Sequence, residues 1–237
     1  MKCKNCNHPV GGKFCPECGH PVKLKRIDGH YIIHEIQHVL HFEKGILFTV
    51  KELFVRPGKS VRDYLTENRS RLVKPILFII VTSLIYSVCN HLLHFDDGYV
   101  AYSGEQKSAT TKIFEWVQGH YGYSNIIMAI FIAACIRLLF RKSQVNFFEI
   151  LILLCFVMGI GMLIYSGFGI VKGFTHLDIM QFGGIAGIIY ATWAIGQFYG
   201  KEKFIHYVKA FIAYILGMVF FSITAILIGT IIDLLMK

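Results

Sequence analysis

Four cysteines near the start of the chain have the spacing of a metal site. Cys3 and Cys6 form one CxxC pair, and Cys15 and Cys18 form a second. Each pair can place two thiolates on one ion, and four thiolates complete the closed tetrahedral shell of a structural zinc site. The sequence therefore predicts a zinc ribbon over residues 1–22, with structural zinc as its cofactor. A redox-active thiol pair is the alternative for the same residues.

A second motif, His34-Glu35-Ile36-Gln37-His38, matches H-E-x-x-H. In this pattern two histidines on one helical face bind zinc and the glutamate acts as general base of a metallopeptidase. His30 and His41 extend the same face, within an arc of about 80° on a helical wheel. No third protein ligand is evident, and so short a pattern is common by chance. Two alternatives stay open: a second metal site at His34 and His38 with Glu35 catalytic, or a polar histidine face on an amphipathic helix.

The region between residues 46 and 74 is basic and amphipathic. Apolar positions from Ile46 to Phe54 predict a helix that stops at Pro57, and Ser60 with Asp63 predicts a capping box for a short basic helix through Arg69. The two amphipathic helices over residues 29–56, namely the histidine-bearing helix and the helix that follows it, would lie on the inner leaflet or pack against the spans. We expect six cations to hold lipid phosphates, at roughly 1 kcal/mol each: Arg56, Lys59, Arg62, Arg69, Arg71 and Lys74.

The elements that position these residues are predicted to be membrane helices. Of the 237 residues 54% are hydrophobic and only 16% are charged, against about 25% in a typical soluble domain. This composition excludes a disordered chain and an ordinary soluble enzyme. A spanning helix needs about 20 mainly apolar residues. Five segments meet this requirement: 75–95, 121–140, 148–171, 179–199 and 208–234.

The predicted fold is thus an all-α integral membrane protein in three regions. A zinc ribbon (1–22) precedes cytoplasmic membrane-proximal helices (23–74) and a five-span bundle (75–237). Twenty of the 24 Lys and Arg residues fall on the side of the N-terminus, which places that terminus in the cytoplasm and the C-terminus opposite. Because this charge is juxtamembrane, we expect the anionic headgroups of the bilayer as partner and not nucleic acid.

The segment from His41 to Pro75 carries a family resemblance. The run His41-Phe42-Glu43-Lys44-Gly45-Ile46-Leu47-Phe48 is followed by Arg56-Pro57-Gly58-Lys59-Ser60-Val61-Arg62-Asp63-Tyr64-Leu65. Together with the CxxC pairs, this resembles the domain-of-unknown-function 3667 family of bacterial membrane proteins, common in Bacteroidota, over about residues 3–85. Thr66-Glu67-Asn68 departs from the pattern, where a glycine is expected before the arginine. The resemblance implies a bacterial inner-membrane protein and brings no activity with it.

A looser likeness links the chain to Yip-type proteins, which share five spans and a cytoplasmic N-terminus. Three functions follow as hypotheses. The first is a non-enzymatic scaffold that binds a cytoplasmic protein partner and forms a homo-oligomer through its spans. It is favoured because the zinc site is closed and the span interiors lack charged groups. The second is a transporter or channel, and the third is a membrane zinc metallopeptidase that uses the HEIQH motif.

Overall fold

The computed structural model describes residues 2–3, 6, 8–12, 14–18, 45–69, 71–93, 95, 108–200 and 202–235. The chain divides into two compact units, Met1–Glu43 and Lys44–Lys237. In the first unit, Lys2 and Pro9 form an antiparallel bridge, and the Cys3 amide donates to the His8 carbonyl oxygen at 2.8 Å. Cys3, Val10 and Cys15 are buried together in a small cluster.

The described part of the second unit consists of eight helices. These are α1 (Ile46–Val55), α2 (Pro57–Thr66), α3 (Pro75–Leu93), α4 (Ala109–Gly119), α5 (Tyr121–Leu139), α6 (Phe147–Thr175), α7 (Met180–Gly200) and α8 (Phe204–Leu235). The helix α6 is central, since it packs against α3, α5 and α7. The two short helices α1 and α2 pack against α6 and α7. They therefore belong to the second unit, which begins at Lys44.

Among the helices that the structure describes, four are long and apolar enough to cross a membrane: α3, α5, α6 and α8. Their burial differs widely, because 56% of the most apolar window of α6 is inside the protein but only 17% of that of α8. A bundle that exposes so much apolar helix surface is suited to lipid and would be a liability in water. The described residues of the second unit thus form an all-helical fold that is compatible with a membrane protein.

The predicted segment 179–199 is a helix, α7, but it is not one of the four that meet the length and hydropathy criteria. Glycines at 183, 184, 187, 196 and 200 and two glutamines lower its hydropathy. Four candidate spans are thus established, and the fifth stays a prediction.

The two ends of the bundle differ in charge. One end, which we call the basic end, carries Arg137, Arg141, Lys142, Lys203 and Lys209. There the Phe140 and Tyr199 rings stack with centroids 3.9 Å apart, and Lys209 lies over the Phe140 ring. This joins the end of α5, the end of α7 and the start of α8. At the opposite end, Asp233 of α8 accepts hydrogen bonds from the Ser108 hydroxyl at 2.8 Å and the Ala109 amide at 2.7 Å.

Two local predictions need correction or addition. Ser60 does not cap a helix, because α2 already begins at Pro57, whose missing N–H and fixed φ suit the first helical position. The Ser60 hydroxyl instead donates to the Glu52 carbonyl oxygen at 3.3 Å.

Helix α4 was not predicted. It is amphipathic, and both the Ser108 hydroxyl and the Asp233 carboxylate hold its first N–H groups.

Small residues allow the helices to approach closely. A Cβ atom added to Gly217 of α8 would lie 2.5 Å from the Ile132 Cα of α5, and one added to Gly229 would lie 2.6 Å from the Thr110 Cα of α4. Such backbone contacts replace hydrophobic driving force in a membrane. They fix α8 against two neighbours.

Candidate functional site

The four cysteines of the first unit form one cluster. One sulfur atom from each of Cys3, Cys6, Cys15 and Cys18 lies within 4.8 Å of all the others. The Cys6 sulfur is 3.5 Å from that of Cys15 and 3.4 Å from that of Cys18, and Cys3 and Cys18 are 3.6 Å apart. Sulfurs placed about 2.3 Å from a tetrahedral zinc ion lie roughly 3.8 Å from one another. The donor set therefore fits a single metal ion.

The chemistry of the cluster also suits a cation. The His8 amide lowers the pKa of the Cys6 thiol, but the neighbouring thiols of Cys18, Cys15 and Cys3, with desolvation, raise it to about 12. Four thiols this close resist ionisation as long as no positive charge stands among them. A divalent cation would reverse this balance, since a coordinating thiol is deprotonated outright.

In the second unit, the corner between α1 and α2 is organised by Glu52. Its carboxylate accepts from Arg56 Nε at 3.0 Å and Arg56 Nη2 at 2.9 Å, and from Arg71 Nη2 at 3.2 Å. The Ser60 hydroxyl adds a longer contact at 3.3 Å. The hydrogen bonds from Arg56, with the charges of both arginines, lower the pKa of Glu52 in spite of its desolvation. An ionised Glu52 thus joins α1 to α2 and to the segment that precedes α3.

Arg62 of α2 caps the C-terminal end of α7. Its guanidinium donates to the Phe198 carbonyl oxygen and, at 3.4 Å, to that of Gln197. The last four carbonyls of a helix have no partner within it and carry its partial negative charge. The guanidinium also lies over the Phe198 ring, 5.8 Å from the centroid. A residue predicted to hold lipid phosphate is therefore also a helix cap.

Close backbone approach explains the glycine of the same motif. The Gly58 amide donates to Gln197 Oε1 at 2.7 Å, and a Cβ atom at this position would lie 2.5 Å from the Gln197 carbonyl carbon. Tyr64 packs edge-on against Phe156 of α6 at 5.4 Å between centroids. On α7, the Tyr190 hydroxyl donates to the Leu53 carbonyl oxygen at 3.0 Å. The corner is thus docked on α6 and α7 through both packing and polar contacts.

A cavity of about 660 Å³ opens where α2 meets the end of α7 and the start of α8. It is lined by Arg56, Lys59, Arg62, Asp63, Gln197, Tyr199, Gly200, Glu202, Lys203 and His206. A second cavity of about 540 Å³ shares Tyr199, Lys203 and His206 with the first and adds Arg141, Lys142 and Lys209. The buried Tyr199 hydroxyl has no hydrogen-bond partner among the described residues. Because cationic side chains outnumber carboxylates in their linings, both cavities are positively charged. They adjoin one another at the basic end.

The predicted site residues are distributed unevenly over these features. Arg56, Lys59 and Arg62 line the first cavity, whereas Arg71 pairs with Glu52 and lies over the Phe48 ring. Arg69 and Lys74 are exposed and lie outside the cavity lining. His30, His34, Glu35, His38 and His41 lie outside the described residues, so the second metal site and the peptidase motif stay predictions.

Sequence reasoning did not assign Tyr199, Lys203 or His206 to a site. Lys203 was counted only as one of several basic residues on the N-terminal side. A usable signal was available, since three basic positions at 201, 203 and 209 and a histidine at 206 follow the glycine that ends α7.

These features define the class of the chain as a helical membrane protein that carries a four-cysteine cluster and a docked basic helical corner. Residues 43–87 match the family model described as Protein of unknown function (DUF3667). The resemblance drawn from the motif is thereby confirmed over this segment, which contains α1, α2 and the first part of α3. No curated protein and no solved structure matches the chain. The Yip-type likeness stays a prediction.

Proposed function

We propose that this chain is a non-enzymatic scaffold of the bacterial inner membrane that presents a cytoplasmic zinc ribbon to a protein partner. One observation carries the proposal. The characteristic residues of the family segment are used for contacts within the chain: Arg56 pairs with Glu52, Gly58 allows backbone contact, Arg62 caps α7 and Tyr64 packs on α6. These contacts give the motif a role in holding two helices on the bundle, and this role needs no catalytic chemistry.

Five spans with a cytoplasmic N-terminus are part of this proposal. Helix α7 has 21 residues and is about 31 Å long, close to the roughly 30 Å of a bilayer core. It also runs from the opposite end to the basic end, so the chain must pass the length of the bundle between α6 and α8. The basic end carries Arg137, Arg141, Lys142, Lys203 and Lys209, as the positive-inside rule expects of a cytoplasmic face.

Zinc is the proposed ion of the cysteine cluster. Four thiolates suit zinc, and a shell closed by four protein ligands leaves no position for a reacting water. The ion would stabilise the first unit, whose described apolar cluster consists only of Cys3, Val10 and Cys15. Units of this size commonly depend on a metal for their fold.

The test compares three forms of the full chain in membranes: wild type, Cys15→Ser and Cys89→Ser. Cys89, half-buried on α3, is the matched control for loss of a thiol. We expect one zinc per chain in wild type and Cys89→Ser and a large loss in Cys15→Ser. A partner that co-purifies with the first two and is lost from Cys15→Ser would support the scaffold. Identical protein profiles for all three would contradict it.

The zinc content per chain also tests the hypothesis of a zinc metallopeptidase. If a variant with all four cysteines of the cluster replaced by serine keeps about one zinc per chain, the ion must be held elsewhere, and the histidine face with Glu35 becomes the prime site. Glu35→Gln should then abolish a cleavage activity and leave the zinc content unchanged.

A channel or carrier is the second candidate, because polar atoms are buried within the bundle. The Ser83 hydroxyl of α3 and the Asn125 amide nitrogen of α5 have no partner among the described residues. Such groups are costly in a membrane interior unless water or a solute reaches them. Flux into liposomes that Asn125→Leu abolishes would favour this function, and liposomes that remain silent over broad solute sets would count against it.

A further inference from the structure

We propose that the cavity lined by α2, the end of α7 and the start of α8 binds one phosphate-bearing group. The group is supplied by the headgroup of an anionic phospholipid or by a free phosphate compound. This goes beyond the proposed scaffold function, because a scaffold needs no ligand at this place. It also narrows the six predicted phosphate ligands to those that share one concave site and adds residues from another helix.

The charge of the cavity is the first argument. Arg56, Lys59, Arg62 and Lys203 bring four cations to its lining, against the two carboxylates of Asp63 and Glu202. Arg56 shares its charge with Glu52. Lys59 and Lys203 are exposed, and they approach the cavity from different segments, since Lys59 lies on α2 and Lys203 in the connection just before α8. Cations that converge from separate elements on one concavity are the arrangement that holds a multivalent oxyanion.

Arg62 removes the main electrostatic obstacle. The carbonyl end of α7 points to this region, and the C-terminal end of a helix repels an anion. By donating to the Phe198 and Gln197 carbonyl oxygens, the guanidinium offsets this partial negative charge. The end of α7 is thereby made compatible with an anionic neighbour.

Polar groups complete the cavity. The His206 ring contacts the Gly200 carbonyl oxygen through Nδ1 at 3.0 Å, so that this nitrogen carries the hydrogen. Gln197 and Tyr199 also line the cavity. A volume of about 660 Å³ falls within the usual range for small-molecule sites.

The surroundings favour a lipid as the source of the phosphate. Phe204 and Ile205 follow Lys203 directly, and their side chains are 80% and 52% exposed. Cations beside exposed apolar side chains at the first turn of a candidate span can hold a headgroup and its acyl chain together. A free phosphate compound would use the cations alone.

The experiment uses the full chain purified in detergent and the double variant Lys59→Gln/Lys203→Gln. The matched control, Lys51→Gln/Lys112→Gln, removes the same charge from exposed positions outside the cavity. Binding is titrated with phosphatidylglycerol, with phosphatidylcholine as the neutral lipid, and separately with inorganic phosphate. Melting temperatures without ligand establish that all three proteins are folded.

We expect phosphatidylglycerol to bind the wild type about 30-fold more tightly than the cavity variant, since each cation beside an anionic headgroup contributes about fivefold. The control should stay within about twofold of wild type on the same scale. Loss confined to phosphatidylglycerol identifies the lipid source, and the same loss with inorganic phosphate identifies a free compound. Equal weakening in the cavity variant and the control, or no binding of either ligand, would overturn the proposal.

Discussion

The cysteine cluster and the α1–α2 corner are both short segments that cannot form a hydrophobic core alone, yet they are held in different ways. In the first unit, four thiols converge on a space that fits one ion, and the described apolar cluster is limited to Cys3, Val10 and Cys15. In the corner, Leu53 and Val61 are 1% and 0% exposed because they join the core of the bundle. The first segment gathers donors for one ion in place of a core, and the second uses the bundle as its core.

We therefore expect the stability of the first unit and that of the corner to respond to different changes. Loss of metal removes ligand bonds in the first unit only, whereas damage to the corner acts on the contacts with α6 and α7. A change made in one region that lowers the stability of the other would show that the two are coupled.

The largest effect is expected from metal removal. A strong chelator should make residues 1–43 sensitive to protease, because bound zinc contributes on the order of 10–16 kcal/mol to the apparent stability of small zinc modules. Mapping of the cleavage sites and a melting curve of the bundle provide the measurement. A bundle that melts earlier after chelation would show that the two regions are not independent.

Gly58→Ala should cause the largest loss within the corner. The added Cβ would press on the backbone of Gln197 and Phe198, which cannot turn aside as a flexible side chain would, and overpacking of this kind costs about 3 kcal/mol. The thermal stability in detergent measures the effect. Gly161→Ala is the control, since no atom lies within 4 Å of its Cβ position. It should be neutral or stabilising by up to about 1 kcal/mol.

Arg62→Lys should destabilise the bundle by about 2 kcal/mol. Lysine keeps the charge but lacks the planar fork that reaches two carbonyl oxygens and stacks on Phe198. Chemical denaturation, together with hydrogen exchange at the end of α7, would detect the loss. Lys59→Gln, one turn away on the same helix, is expected to leave both readings unchanged.

Glu52→Gln should have the smallest effect, about 1 kcal/mol at neutral pH, because its arginine partners are 40% exposed and screened by solvent. The folded-state pKa of Glu52 lies below its ordinary value of 4.5. Its ion pairs therefore contribute fully above that value, and the contribution is lost as the pH falls through the folded-state pKa. Melting temperatures of wild type and variant should converge on acidification from pH 7, and a constant difference would argue against the ion pairs.

The sequence predicted best those features that depend on local pattern. Each of the five apolar segments contains a helix, since long apolar runs leave few other structures possible in lipid. The CxxC spacing likewise brought together the four cysteines, because two residues between ligands allow both to reach one ion.

What the sequence did not predict depends on contacts between distant residues. Arg62 was assigned to lipid because the carbonyl oxygens of Gln197 and Phe198, some 135 positions away, give no signal near it. The start of α2 was misplaced at Ser60, since that hydroxyl could cap a helix as well as bond to Glu52. Helix α4 was missed because one of its caps, Asp233, comes from the far end of the chain.

The length of α8 has a consequence for the surrounding bilayer. Its 32 residues extend for about 48 Å, and the uncharged stretch between Lys209 and Asp233 covers about 35 Å of this, slightly more than a hydrocarbon core of roughly 30 Å. A free helix of this length would tilt until it matched the local thickness. Here the close contacts of Gly217 with Ile132 and of Gly229 with Thr110, about 18 Å apart along the axis, fix its direction. Helix α8 therefore cannot tilt independently of its two neighbours, and a change in membrane thickness would act on the bundle through it.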